Sequence, residues 1–202
     1  PEIKYGNRSA VMQMISENCI GIAVFAILSG VLGSGFLLVF CLLRWKGLDY
    51  NSKDFVYIGL FIVISTLWII TDSKIPQFLT KRLTPIYILS FLLFTLMPVP
   101  YLMFLRQICR HGKGALDCLS ILFLLQTIFC AVLYITGTVD LIMSLPVTHF
   151  LIICTVAASI FLCLRELLHY HNKDTFFVLI GICILAAGAM LSLAAFLPQK
   201  IS

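Results

Sequence analysis

The chain has 202 residues, of which 61% are hydrophobic and only 11% are charged, and its mean hydropathy is +1.06. A soluble domain carries about 25% charged residues, so this composition excludes a water-facing surface over most of the molecule. The net charge of +5 comes without any run or stripe of lysine and arginine. This pattern argues against nucleic-acid binding and places the positive charges in loops beside lipid headgroups.

Six apolar runs of the sequence approach the roughly 20 residues that a helix needs to cross the hydrocarbon core of a bilayer. They lack the period-2 alternation of membrane β-strands, which excludes a β-barrel. The loops between them are short, so consecutive spans are antiparallel neighbours. The sequence therefore predicts an all-α, polytopic transmembrane helical bundle with spans at residues 19–43, 55–71, 83–105, 118–139, 146–164 and 175–197.

The boundaries of these spans carry further expectations. The fifth span is expected to begin at Pro146, because proline suits the first turn of a helix. Residues 1–18 are expected to form an extracellular lead-in, and residues 198–202 a truncated tail. The chain starts at Pro1 without an initiator methionine or signal-peptide pattern, which suggests a piece of a longer protein.

The distribution of lysine and arginine predicts the orientation of the bundle. With the N-terminus outside, eight of the 14 basic residues fall in inside loops and six in outside segments. This bias favours an extracytoplasmic N-terminus by a small margin. The predicted location is a bacterial cytoplasmic membrane, with the lipid bilayer as the main partner.

Ionisable groups are placed at the ends of the predicted spans and not within them. The residues concerned are Asp54, Asp72, Asp117, Asp140, Glu166 and Asp174. Proton relays and ion paths need such groups inside the membrane, at a considerable cost in free energy. The pattern therefore disfavours a pump or an ion-coupled transporter.

The sequence also lacks the usual marks of catalysis and metal binding. It contains no HExxH, no GxSxG and no paired carboxylates. Its eight cysteines form no CxxC pair and are interpreted as small packing residues inside helices. His169 and His171 form an HxH pair in a predicted inside loop, a spacing that without partners indicates a solvated loop more than a metal site. We predict no catalytic residues, metal or cofactor in this segment.

Small residues recur at a spacing of four along the first span. Such small-xxx-small pairs let two helix backbones approach closely. The pattern predicts helix packing at Ser29, Gly30, Gly33 and Ser34.

Two prolines interrupt the third span. Pro98 and Pro100 each lack a backbone donor and favour a kink. The kink is either a hinge or a static bend, and the sequence favours neither.

Four polar or aromatic residues are expected at the outer ends of their spans. Trp68 is suited to be an interfacial anchor, Asp72 to cap a following segment, and His149 to form a structural hydrogen bond. The alternative is that Trp68, Asp72, Asp140 and His149 together line an outward-facing polar pocket.

Several segments of the chain resemble a known family. They are Lys53–Phe61, Trp68–Ser73, Met97–Tyr101, Ile135–Asp140 and Thr148–His149. Their order and spacing are similar to the seven-helix membrane region of bacterial receptors with diverse intracellular signalling modules, most of all to Firmicutes members with a C-terminal GGDEF diguanylate cyclase domain.

The resemblance implies an extracellular sensory domain before the first helix and an output domain after the seventh. Only six spans are visible, so the seventh would lie beyond Ser202, and no GGDEF sequence is present. The resemblance implies a homodimer that relays an unidentified outside signal to a diguanylate cyclase and so controls cyclic di-GMP. The alternatives are a fragment of a multi-pass transporter or channel, and a membrane enzyme with its active site near His169 and His171.

Overall fold

The computed structural model describes residues 8–47, 52–73, 76, 83–109, 111–138, 140–170 and 175–184. All regular structure in these residues is helical. The helices are α1 (Arg8–Trp45), α2 (Ser52–Asp72), α3 (Thr84–Leu96), α4 (Pro98–Ile108), α5 (Lys113–Ile135), α6 (Leu141–Tyr170) and a short segment, α7 (Thr175–Ile184).

Five helices are long and apolar enough to cross a membrane. They span Ile20–Trp45, Lys53–Asp72, Thr84–Ile108, Lys113–Ile135 and Leu141–His169. The third combines α3 and α4. These helices confirm the predicted all-α bundle, and their many exposed leucine, isoleucine and phenylalanine side chains are those of a lipid-facing surface.

Two observed boundaries differ from the expected ones. Residues 8–18, expected in the lead-in, belong to α1. Pro146 lies inside α6 and does not begin it. Pro146 is the sixth residue of α6, which begins at Leu141, and it has no N–H to donate to the Ile142 carbonyl, but the loss of this one hydrogen bond does not end the helix. Of the predicted sixth span, the structure describes 175–184, and 185–202 lie outside the described residues.

Helices α1 and α2 form the most extensive helix pair of the fold. A Cβ added at Gly33 would lie 3.0 Å from Ile62 Cγ2, and the Thr66 hydroxyl donates to Ser29 Oγ at 3.0 Å. Gly30 also faces Thr66. Three of the four predicted packing residues therefore meet α2, whereas Ser34 is exposed and bonds its hydroxyl to the Gly30 carbonyl of its own helix at 2.8 Å.

The interruption at the two prolines is short. α3 ends at Leu96 and α4 begins at Pro98, with Met97 between them in a right-handed helical conformation. The Met97 N–H still donates to the Leu93 carbonyl at 2.9 Å. Pro98 and Pro100 are both buried. The two helices thus form one span with a weakened hydrogen-bond ladder at its centre, where bending costs less than elsewhere.

The largest buried cluster lies between α4, α5, α6 and α7. Its centre is formed by fully buried side chains, with Leu102, Leu116, Phe123 and Cys163 among them. Helix α1 is not part of this cluster and packs mainly on α2. The bundle therefore has a packed side built on α4–α6 and an outlying helix, α1.

Candidate functional site

A cavity of about 290 Å³ opens between α2, α3 and α6. It lies where α2 ends and where α3 and α6 begin, so it is at one end of the bundle. We call this the cavity end. The cavity is lined by Trp68, Asp72, Tyr87, Ser90, Phe91, Phe94, Leu145 and His149.

An aromatic row crosses the cavity. The ring centroid of Phe94 lies 5.3 Å from that of Trp68 on α2 and 5.6 Å from that of His149 on α6. Centroid distances of this size are those of favourable aromatic pairs. Phe94 on α3 therefore joins the two other helices through ring contacts, and a shift of any one helix would change both contacts.

The polar groups of the cavity are few. Asp72 is the last residue of α2 and is exposed, and Ser90 is buried at the cavity wall. The Nδ1 of His149 lies 2.7 Å from the Leu145 carbonyl oxygen. Since a carbonyl oxygen accepts, Nδ1 carries the proton, and in the neutral ring Nε2 is a free acceptor. Apolar walls with a few convergent polar groups are typical of small-molecule sites.

The structure brings together three of the four residues that the sequence grouped at this end. Trp68, Asp72 and His149 line one cavity, but Asp140 does not. Asp140 precedes α6, where its backbone carbonyl accepts from Met143 N–H at 3.0 Å. It is nine residues before His149, more than two helical turns further along the axis, which places it beyond the cavity wall.

Sequence reasoning missed the α3 side of the cavity. Tyr87, Ser90, Phe91 and Phe94 all come from one helix, at positions three or four residues apart. That spacing identifies one helix face. In an apolar span the same spacing is typical of ordinary helix packing. Whether such a face lines a cavity or packs in a core depends on the neighbouring helices, which the sequence does not show.

The opposite end of the bundle, where α4 meets α5 and α6 ends, has a different construction. We call it the tethered end. Its central group is Glu166, whose side chain is only 2% exposed. The Glu166 carboxylate accepts a hydrogen bond from the His111 backbone N–H, and His111 Nδ1 lies 3.3 Å from it. The sequence placed Glu166 at a span end, but α6 continues to Tyr170 and buries this residue inside the helix.

Further contacts close the tethered end. Arg106 on α4 forms an ion pair of 2.8 Å with Asp117 on α5. A hydrogen bond with the neighbouring Cys163, together with burial, raises the pKa of the Cys109 thiol well above its ordinary range. A thiol that stays protonated packs as a small apolar group, which agrees with the interpretation for Cys109, whereas Cys41, Cys118 and Cys183 are exposed.

Metal binding finds no support in the described part of the chain. No three His, Cys, Asp or Glu side chains come together there as a metal site. His169 lies at the exposed end of α6, and His171 lies outside the described residues. The cavity is therefore the candidate site that the described residues offer for a ligand.

Comparisons with known proteins provide no functional assignment for this chain. No protein-family model matches this chain, and it matches no curated protein and no solved structure.

Proposed function

We propose that this chain is the transmembrane sensory and transducing region of a bacterial signalling receptor. It binds a small extracytoplasmic ligand in the cavity and passes the signal through the helices to an output domain, a GGDEF diguanylate cyclase. The proposal places the protein in the cytoplasmic membrane with the N-terminus and the cavity end outside. The receptor works as a homodimer, because output domains of this class act in pairs.

The observation that carries the proposal is that three helices distant in sequence share the cavity. Its walls come from α2, α3 and α6. A ligand that contacts all three favours one relative arrangement of them over others, which is how binding shifts a conformational equilibrium. The family-like segments of the sequence supply Trp68, Asp72 and His149, three of the residues that line the cavity.

The span that the two prolines interrupt connects the cavity to the other end of the bundle. Phe91 and Phe94 of α3 line the cavity, and Arg106 of α4 pairs with Asp117 at the tethered end. Between them lie Pro98 and Pro100. A displacement of α3 would therefore act on α4 through a point of low bending stiffness, and small helix shifts of this kind are a common form of switching.

The experiment reduces the volume of the cavity by enlarging one buried residue of its wall. Ser90→Leu adds an apolar side chain where Ser90 faces the cavity, and Ser34→Leu adds the same side chain on the exposed surface of α1. Both variants are made in the complete natural protein, and cyclic di-GMP is measured in cells at matched expression. We expect Ser90→Leu to change the cyclic di-GMP level by roughly threefold or more and Ser34→Leu to leave it unchanged, because only the first occupies the site.

The result that contradicts the proposal is equally specific. If cyclic di-GMP is the same for Ser90→Leu, Ser34→Leu and the natural sequence, the cavity does not control the output. If the natural protein produces no cyclic di-GMP under any condition, the assignment to a cyclase receptor is wrong.

A further inference from the structure

The lining of the cavity indicates the class of ligand. We propose that the cavity binds a small organic cation whose ammonium group lies against the aromatic side chains of the lining and beside the carboxylate of Asp72. This inference deepens the proposed function by naming the chemistry of its ligand, and it rests on that function only where binding is said to carry a signal.

The aromatic content of the cavity is the first reason. Four of the eight lining residues carry benzenoid or indole rings: Trp68, Tyr87, Phe91 and Phe94. The electron-rich face of such a ring attracts a cation within about 6 Å of its centroid, and tryptophan does so most strongly. The ring centroids of Trp68 and Phe94 lie 5.3 Å apart, so the two rings contact each other and form one continuous aromatic wall against which an ammonium group can lie. Several rings around one space are the usual site for quaternary ammonium ligands.

The sign of the electrostatic potential is the second reason. Asp72 is the one acidic residue of the lining, and no lysine or arginine is among the described lining residues. Asp72 also ends α2, and the last turn of that helix has no basic residue. Asp140 lies within electrostatic range of Tyr87 at the rim. These groups disfavour an anion and favour a cation.

The hydrogen-bonding groups of the cavity also favour a cation. The neutral His149 ring offers Nε2 as an acceptor, because its Nδ1 donates to the Leu145 carbonyl. The Asp72 carboxylate is an acceptor on both oxygens. A primary amine would satisfy these acceptors, and a quaternary amine would use the rings and the charge alone. The cavity volume of about 290 Å³ restricts the ligand to a small molecule or a single headgroup.

Two sources can supply such a group. One is a soluble amine or quaternary ammonium compound, and the other is the ammonium headgroup of a membrane lipid. Both present the same chemistry to the cavity, which lies at an end of the bundle where spans begin and end. The experiment below separates them.

The chain provides its own reporter for binding. Of its two tryptophans, Trp68 lines the cavity, whereas Trp45 is 87% exposed at the end of α1. In a Trp45→Phe background, the fluorescence of the full chain therefore reports on Trp68 alone. The protein is placed in nanodiscs of phosphatidylglycerol, which has no ammonium group, with a scaffold protein whose tryptophans are replaced by phenylalanine, and titrated with choline. The matched probe is 3,3-dimethylbutan-1-ol, in which a carbon atom replaces the charged nitrogen.

We expect a saturable change in Trp68 fluorescence with choline and at least about tenfold weaker binding of the neutral probe, because only the cation gains from the rings and the carboxylate. Equal binding of the two probes, or no saturable binding of choline, would overturn the inference.

Two variants on one helix test the charge. Asp72→Asn removes the carboxylate at the cavity and keeps its shape, and Asp54→Asn makes the same change near the other end of α2. We expect Asp72→Asn to weaken choline binding at least about fivefold and Asp54→Asn to leave it unchanged. Circular dichroism checks that each variant is folded. Should Asp72→Asn fail to fold, Phe94→Leu tests the ring contact instead, with an expected loss of similar size.

The lipid arm identifies the source of the cation. The choline titration is repeated in nanodiscs that also contain phosphatidylethanolamine. Weaker apparent choline binding there assigns the cavity to a lipid headgroup, and unchanged binding assigns it to a soluble cation, and both results support the ammonium site. Choline binding without any effect of cavity variants on cyclic di-GMP would refute the signalling role alone. Control of cyclic di-GMP by Ser90→Leu without choline binding would refute the ligand class alone.

Discussion

The two ends of the bundle differ in how their polar groups are used. At the cavity end, Asp72 and His149 are exposed around an open space lined by aromatic rings. At the tethered end, Glu166 is buried and holds the α4–α5 connection through His111. A buried carboxylate needs partners to be stable, whereas an exposed one does not. The tethered end thus uses its charge for structure, whereas the charged group of the cavity end is exposed at the cavity.

This difference indicates how a signal would travel. Helices α4, α5 and α6 share the large buried cluster and the contacts of the tethered end, so they resist relative movement there. Helices α2, α3 and α6 meet at the cavity through rings around an empty volume. Regions with fewer packed contacts open at lower free energy. Displacements are therefore expected to start at the cavity end and to pivot about the tethered one.

The largest expected effect comes from removing the tether. Glu166→Ala leaves the His111 backbone N–H without its charged acceptor, so we expect the free energy of unfolding to fall by about 2–3 kcal/mol. Thermal unfolding in detergent, followed by far-ultraviolet circular dichroism, measures this change. Glu166→Gln keeps an acceptor oxygen at the same place and should lose less than half as much. Equal stability of Glu166→Ala and the natural sequence would show that the tether is not structural.

Substitutions at two glycines, one in a loop at each end of the bundle, allow the packing of these loops to be compared. Gly112 and Gly137 both have positive φ, at 100° and 68°. Either glycine replaced by alanine incurs the cost of a left-handed residue, about 1 kcal/mol. Only at Gly112 would the added Cβ also meet a side chain, Leu162 Cδ2 at 2.7 Å, whereas nothing lies within 4 Å at Gly137.

Gly112→Ala should therefore destabilise the bundle more than Gly137→Ala, by roughly a further 1 kcal/mol from overpacking. The same thermal unfolding measurement compares the two variants. If Gly137→Ala proved equally or more damaging, the two loops would not differ in packing as described.

The smallest effect on stability is expected at the cavity. His149→Leu removes an exposed ring whose Nδ1 bonds only within its own helix, so we expect a change within about 0.5 kcal/mol. Choline binding to the same variant should weaken, since one end of the aromatic row is lost. A large fall in the unfolding temperature of this variant with unchanged choline binding would show that His149 serves stability and not the ligand, contrary to the comparison between the two ends.

Particular residues show how far the sequence predicts this site. Trp68, Asp72 and His149 were grouped because each is a polar or aromatic residue near the same predicted membrane face, and all three line the cavity. Asp140 shares that face but precedes α6, more than two helical turns from His149, and so lies beyond the cavity wall. The sequence does not identify Phe94, because it does not show how a helix is rotated about its axis. In an apolar helix, lipid-facing and cavity-facing rings have the same sequence pattern.

The sequence by itself determined that the chain crosses the membrane repeatedly as helices, since long uncharged runs are stable in hydrocarbon only with every backbone group bonded internally. It also identified three residues of α1 that pack against another helix, because glycine and serine at a spacing of four permit close approach. Only the tertiary structure decided that Glu166 is buried, that Ser34 faces outwards, and that rings of three helices surround one cavity. These features depend on how each helix is rotated against its neighbours. Because lipid is as apolar as the side chains, contact with lipid does not favour one rotation over another, and packing and a few polar contacts determine it.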